Sequence, residues 1–124
     1  MASGPGRREP MALIYKILSR CEWEAALAAG RFEGSSVDRA DGFIHFSTAD
    51  QAPETARRHF AGAEDLMVLA VRADTLGGAL KWEPARDGAL FPHLYGALDC
   101  AKVVRAWPAR GRADGALDLG DLTQ

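Results

Sequence analysis

The first apolar run along the chain is followed by a helix-like pattern. Residues 13–18 (LIYKIL) are short, apolar and aromatic, which is typical of a buried strand. Ser19 and Glu22 then have the spacing of a helix N-terminal capping box, and apolar residues recur at helical spacing up to Gly30. Because glycine commonly ends helices, this part of the sequence predicts a strand followed directly by a helix.

The middle of the chain repeats this order. A polar loop through Asp41 leads into a predicted strand at 43–47. Thr48 and Gln51 form a second capping-box-like pair, which predicts a helix from about 49 to 61. The next segment, Leu66–Arg72, is apolar without interruption, so we expect a strand that is buried on both faces.

The last third of the chain has strand-like segments and no further helical pattern. Extended segments are predicted at 80–83, 90–95 and 102–107. Strand, helix, strand and helix followed by consecutive strands indicate an α+β fold with a mixed, largely antiparallel curved sheet and two helices.

The 124 residues predict one domain. Residues 1–10 are rich in Gly, Pro and Arg without periodicity, so we expect a disordered tail there and a folded unit at 11–108. Residues 109–124 are a C-terminal extension, in which 116–119 is a candidate for a short edge strand.

Charge and composition argue against some classes of function. The 15 basic and 17 acidic residues leave a net charge of −2, so general nucleic-acid binding is disfavoured. No apolar run approaches the roughly 18 to 20 residues of a membrane span. The two cysteines are far apart, and the N-terminus lacks a signal-peptide pattern, so a cytoplasmic protein with reduced thiols is expected.

Two predicted strands each carry an aromatic residue and a histidine two positions apart. Because side chains alternate across a strand, Phe43, His45 and Ser47 share one face. The same rule puts Phe91, His93 and Tyr95 together. If the two strands lie side by side, they form a polar, aromatic surface that suits a flat, polar ligand, in which an imidazole can fix a hydroxyl or move a proton. The alternatives are that each histidine bonds backbone at a loop edge and that Ser47 caps the following helix.

Further candidates are charged. Glu83 either lies at the mouth of this surface or is an ordinary surface charge, and Arg39 either reaches an anionic substrate group or is solvated. The three histidines are widely spaced and lack a paired motif, so no metal site is predicted.

The segments at 42–48 (GFIHFST) and 91–96 (FPHLYG), together with the first strand and Trp82-Glu83, resemble the bacterial family of small uncharacterised proteins known as DUF952. The resemblance covers residues 14–107. It implies a fold similar to ADP-ribosyltransferases and to the RNA 2′-phosphotransferases that use NAD. Lys16 departs from the pattern, because many relatives carry His at that position.

By this resemblance, His45 and His93 would contact ribose hydroxyls, and Tyr95 or Phe43 would stack on a ring. Glu83 or Arg39 would orient the acceptor. NAD is then a candidate cofactor, and the expected partner is a small, nucleotide-like molecule.

Three hypotheses follow for function. One is an enzyme or former enzyme that binds NAD or an ADP-ribosylated molecule and acts by C–N glycosidic cleavage, with Glu83 near the ribose. A second is a non-catalytic module that binds a small molecule or a peptide. In a third, the histidine motifs are structural. The sequence leaves the oligomeric state open.

Overall fold

The computed structural model of this protein describes residues 12–112 and 116–122, so the tail predicted at 1–10 lies outside the described residues. Within them the helices are α1 (Arg20–Ala29), α2 (Ser36–Asp41) and α3 (Ala52–His59). The strands are β1 (Leu13–Ser19), β2 (Arg31–Phe32), β3 (Ile44–His45), β4 (Leu66–Arg72), β5 (Leu80–Pro84), β6 (Leu90–Leu94), β7 (Leu98–Asp99), β8 (Val103–Pro108), β9 (Arg110–Gly111) and β10 (Leu117–Asp118). Three short 3-10 helices, Ala73–Ala79, Arg86–Gly88 and Cys100–Lys102, connect strands.

The strands form two three-stranded sheets, with the orders β1-β4-β8 and β3-β6-β5, and two separate pairs, β2-β7 and β9-β10. Every pair of strands is antiparallel. A single bridge between Tyr15 and Ser47, with backbone hydrogen bonds of 2.7 and 2.9 Å, links the two larger sheets. The α+β class and the largely antiparallel character are confirmed. A mixed, largely antiparallel curved sheet was predicted, and the described strands form two larger sheets and two separate pairs instead.

The first strand and helix lie where the sequence predicts them. The Ser19 hydroxyl accepts a hydrogen bond from the Glu22 backbone N–H at 3.0 Å, and the Glu22 carboxylate accepts one from the Ser19 backbone N–H at 3.0 Å. Gly30 adopts the left-handed conformation, with φ of 86°, just past the end of α1. The capping residues therefore set both ends of this helix.

The prediction of two helices is wrong, because α2 is a third. Its six residues are too few to show helical periodicity, and the sequence assigned them to a loop. The second predicted helix also begins later than expected. Thr48 and Gln51 form the predicted pair of side-chain contacts, at 3.0 and 3.3 Å, but they stabilise a turn that precedes Ala52.

The two faces of β1 and β4 pack into different hydrophobic clusters. The first cluster includes Ile14, Leu18 and Leu69 and extends to β3, β6 and α1. The second includes Tyr15, Val68 and Leu119, with α3 and the C-terminal residues against it. Because β4 is covered on both faces, its uninterrupted apolar sequence is explained.

Candidate functional site

Strands β3 and β6 pair with His45 directly opposite His93. The two imidazole centroids are 5.6 Å apart, with an edge-on arrangement. The ring of Phe43 lies 4.0 Å from that of His93 in a stacked orientation, 4.6 Å from that of His45 and 5.2 Å from that of Tyr95. We call these four side chains, Phe43, His45, His93 and Tyr95, the ring cluster. The structure thus brings the two histidine-bearing segments together on one surface.

Glu83 holds one side of the ring cluster. Its Oε1 atom lies 2.7 Å from His93 Nδ1 and accepts a hydrogen bond from the Tyr95 hydroxyl at 2.8 Å. The hydrogen bond from His93, and to a smaller extent the one from Tyr95, lowers the pKa of Glu83. The same carboxylate raises the pKa of Tyr95. The His93 side chain is 7% exposed, so Glu83 fixes a ring that is nearly buried.

Two carboxylates of α2 hold His45 on the other side. His45 Nδ1 lies 2.6 Å from Asp38 Oδ1, and His45 Nε2 lies 2.9 Å from Asp41 Oδ2. Helix α2 ends at Asp41, where Gly42 turns the chain toward β3 with φ of 91°. Carboxylates on both ring nitrogens fix the orientation of the imidazole, and proton transfer and hydrogen bonding both depend on that orientation.

Asp38 itself pairs with a buried lysine from β1. Lys16 Nζ donates to both carboxylate oxygens, at 3.0 and 2.8 Å, and the side chains of Lys16 and Asp38 are 6% and 1% exposed. Burial raises the pKa of Asp38, but the hydrogen bond from His45 and the charge of Lys16 outweigh it and hold this pKa well below its usual range. Asp38 is therefore an ionised group at the base of the site.

Two predicted site residues lie elsewhere. Ser47 is buried and its hydroxyl is 3.0 Å from Thr55 Oγ1, so it neither joins the ring cluster nor caps a helix. The sequence predicted that Ser47 shares a strand face with His45, but β3 ends at His45, and the backbone bridge to Tyr15 places Ser47 against Thr55 of α3. Arg39 is exposed and lines an open depression of about 280 Å³, which it shares with Phe43 and Gly96.

Sequence reasoning missed Asp38 and Asp41 as site residues. A signal for Asp38 exists, because Ser35 and Asp38 have capping-box spacing and their contact is present, with the Ser35 backbone N–H 2.9 Å from the carboxylate. Lys16 departs from the family pattern, and the sequence alone does not identify its partner. The partner is on a different element, 22 positions along the chain, so spacing alone does not reveal it.

Acidic and imidazole groups are thus concentrated here without a metal-binding arrangement. Within residues 12–112 and 116–122, no group of three or more His, Cys, Asp or Glu side chains is placed to hold a metal ion.

The family model described as "Protein of unknown function (DUF952)" matches residues 17–106. The chain belongs to this family. The match includes the ring cluster, Glu83 and Asp38, and it ends before the C-terminal residues that cover the second hydrophobic cluster.

Solved structures of another protein resemble this DUF952 chain. The crystal structure of protein CC0527 from Caulobacter crescentus is 57% identical over 86% of this chain and 94% of that one, with a TM-score of 0.84. The solution NMR structure of CC0527 is 58% identical over 84% and 90% of the two chains, with a TM-score of 0.77. Both structures were determined as structural-genomics targets.

No curated protein matches this chain. Among the helices in the described part of the chain, none combines the length and the apolar character needed to cross a membrane.

Proposed function

We propose that the ring cluster is the binding site for a small, polar, ring-bearing ligand of the nucleotide class, with NAD and ADP-ribose as the candidates to test first. The observation that carries the proposal is the pairing of His45 and His93 across β3 and β6, with Phe43 against both imidazoles. Both imidazoles also contact carboxylates, His45 with Asp38 and His93 with Glu83, which fixes the rings on one surface.

The chemistry of the ring cluster matches such a ligand. Aromatic faces accept a heterocycle by stacking, and imidazole nitrogens bond ribose hydroxyls. Tyr95 is 40% exposed, and Glu83 is also partly exposed beside it, so these two groups are within reach of a ligand. A carboxylate at the position of Glu83 also suits the positive character that develops on ribose when a C–N glycosidic bond breaks.

The shape of the surface limits how the ligand binds. The depression next to Phe43 has a volume of about 280 Å³ and is open to solvent. That is close to the lower end of small-molecule sites, about 300 Å³. We therefore expect the ligand to place one ring in the depression and to extend the rest over Arg39 and the exposed surface.

Calorimetric titration of the full chain with NAD, ADP-ribose and nicotinamide, up to millimolar concentration, tests binding. We expect heat with at least one of them and loss of that heat in His45→Ala and in His93→Ala. The matched control is His59→Ala, which removes an exposed imidazole at the end of α3. Absence of heat with all three compounds, or equal loss in the His59 variant, contradicts the proposal.

Turnover is tested separately. Water attack on NAD breaks the nicotinamide C–N bond and yields ADP-ribose, nicotinamide and a proton, and release of nicotinamide is followed by chromatography. We expect Glu83→Gln to retain ligand binding and to lose turnover, because the variant keeps the shape of the side chain and removes its charge.

A non-catalytic binding module is the second candidate function. Both ring nitrogens of His45 face carboxylates of the protein, which suits a fixed recognition group better than a group that exchanges protons. Ligand binding without nicotinamide release, with similar loss of affinity in His45→Ala and His93→Ala, would favour this candidate, whether the ligand is a small molecule or a peptide.

A further inference from the structure

The two nitrogens of His45 meet carboxylates of very different exposure. Asp38, which faces Nδ1, has a side chain that is 1% exposed, whereas Asp41, which faces Nε2, has a side chain that is 51% exposed. A buried carboxylate cannot turn to water, and an exposed one can. The two contacts therefore differ in how readily a ligand replaces them.

Five hydrogen bonds converge on Asp38. Besides the two from Lys16 and the contact with His45 Nδ1, the carboxylate accepts backbone N–H groups of Ser35 at 2.9 Å and His45 at 3.2 Å. Its oxygens are thus held from three elements, β1, the start of α2 and β3. An ionised carboxylate accepts hydrogen bonds and donates none, so it requires a proton on the nitrogen it faces.

The packing around position 16 does not by itself require a charged side chain. Its neighbours on the same face of β1 are Ile14 and Leu18, and its Nζ lies 5.9 Å from the ring centroid of Phe32; all three residues belong to the first hydrophobic cluster. Buried ion pairs are often replaced by apolar residues at no loss of stability. A lysine here therefore points to a role in keeping Asp38 ionised beneath His45.

We propose that Lys16 and Asp38 are positioning residues that hold the proton of neutral His45 on Nδ1 and so reserve Nε2 for the ligand. The inference rests on the proposed function in so far as the ligand is the one bound by the ring cluster. The contact of Asp41 with Nε2, at 2.9 Å, requires a proton on that nitrogen as well, so in the neutral ring the exposed Asp41 carboxylate turns to solvent and a ligand hydroxyl donates to Nε2 in its place.

Nitrogen-15 NMR of the histidine rings tests this without any ligand, because two-bond proton–nitrogen couplings show which nitrogen carries the proton. In the wild-type chain, at a pH where the rings are neutral, we expect His45 to be protonated at Nδ1. We expect Asp38→Asn to lose this preference, because an amide can donate as well as accept. His59 is the internal control, and its ring signals should stay unchanged.

A second pair of variants covers the case in which Asp38→Asn does not fold. Lys16→Met should weaken the preference of the His45 proton for Nδ1, as Asp38→Asn does. Lys16→Arg should keep the proton on Nδ1 as in the wild type, which a purely structural role of Lys16 would not require. Wild-type His45 protonated at Nε2, or Lys16→Arg and Lys16→Met behaving alike, overturns the inference.

Titration of ADP-ribose into the labelled chain gives the ligand side of the test. We expect the His45 Nε2 resonance to move and the Nδ1 resonance to stay in place. Movement of Nδ1 in place of Nε2 overturns the inference. If ADP-ribose, NAD and nicotinamide all fail to bind, the proposed function fails, while the ring protonation pattern still decides whether Lys16 and Asp38 position His45.

Discussion

The two faces of β1 place polar groups in the protein interior in different ways. On one face, Lys16 extends through the first hydrophobic cluster to a charged partner at the base of the ring cluster. On the other face, Tyr15 lies in an apolar cluster and donates from its hydroxyl to the Leu122 carbonyl. One strand therefore supplies a charged group for the candidate site and a neutral hydrogen bond for the core.

The second face is closed by side chains that donate to backbone carbonyls. The Trp107 Nε1–H donates to the Leu119 carbonyl at 2.7 Å, and Arg105 donates to the Asp121 carbonyl at 2.9 Å. Together with Tyr15, these donors fasten a C-terminal segment whose Leu119 side chain is buried. Backbone carbonyls need no counter-charge, so this face gains order without burying ions. The Lys16–Asp38 pair differs from these bonds in that both of its partners are buried charged groups and Asp38 also contacts His45 of the ring cluster.

Removal of Asp38 should have the largest effect on stability. Asp38→Ala leaves the Lys16 ammonium buried without its carboxylate, and we expect a loss of about 3 to 5 kcal/mol in the free energy of unfolding. Urea denaturation followed by circular dichroism measures it. The control is Glu54→Gln, which breaks the exposed pairs with Arg57 and Arg58 on α3 and should leave stability close to wild type. Similar losses in both variants would mean that breaking the buried Lys16–Asp38 pair costs no more stability than breaking an exposed ion pair.

Truncation of Leu119, on the second face, should have the next largest effect on stability. We expect Leu119→Ala to lower the free energy of unfolding by about 2 to 5 kcal/mol, since it opens a cavity beneath the C-terminal segment. The same change at Leu27 of α1, which is 53% exposed, should cost less than about 0.5 kcal/mol. The same denaturation experiment applies. If Leu119→Ala matches Leu27→Ala, the C-terminal segment is not part of the core.

Acid should lower the free energy of unfolding by protonating Asp38, the partner of Lys16. We expect a smaller loss than in either truncation, because a protonated carboxyl keeps its volume. An Asp carboxyl in the unfolded chain has a pKa of about 3.9. In the folded chain burial raises the pKa of Asp38, but His45 and Lys16 hold it below that value. The stabilisation of the folded chain by ionised Asp38 is therefore complete above about pH 5, and it is lost as the pH falls through the pKa that Asp38 has in the folded chain.

Denaturation of wild type and Asp38→Asn at several pH values measures this loss, because the other acidic groups are common to both proteins. We expect the difference between the two free energies of unfolding to shrink as the pH falls from 6 toward 3. A difference that stays constant over this range would mean that Asp38 titrates no differently in the folded and unfolded chains.

Local sequence signals predicted much of the fold. The Ser19 capping box and Gly30 predicted α1, and the unbroken apolar run predicted β4 over Leu66–Arg72, as observed. The same kind of signal fell short at α2, where six residues carry no periodicity, and at Thr48, where the capping pair stabilises a turn instead of starting the helix. Capping chemistry marks where the chain changes direction, but it does not by itself say whether a helix follows.

Strand alternation predicted which side chains of the candidate site face together. It placed Phe43 with His45 and His93 with Tyr95, and the register of β3 against β6 then set the two histidines opposite each other. It could not supply Asp38, because the contact from α2 to β1 depends on how these elements pack. It also misled at Ser47, where the bridge to Tyr15 takes the chain away from the ring cluster.

Local patterns in the sequence are therefore sufficient to predict the α+β class, the start of α1, the doubly buried β4 and the shared faces of the histidine motifs. These properties follow from the period of side chains along a strand or helix and from local capping bonds, which need no distant residue. The contacts of Lys16 with Asp38, of Asp38 with His45 and of Tyr15 with the C-terminal segment instead depend on tertiary packing. Those contacts join residues far apart in sequence, and their geometry exists only when the sheets and helices have packed.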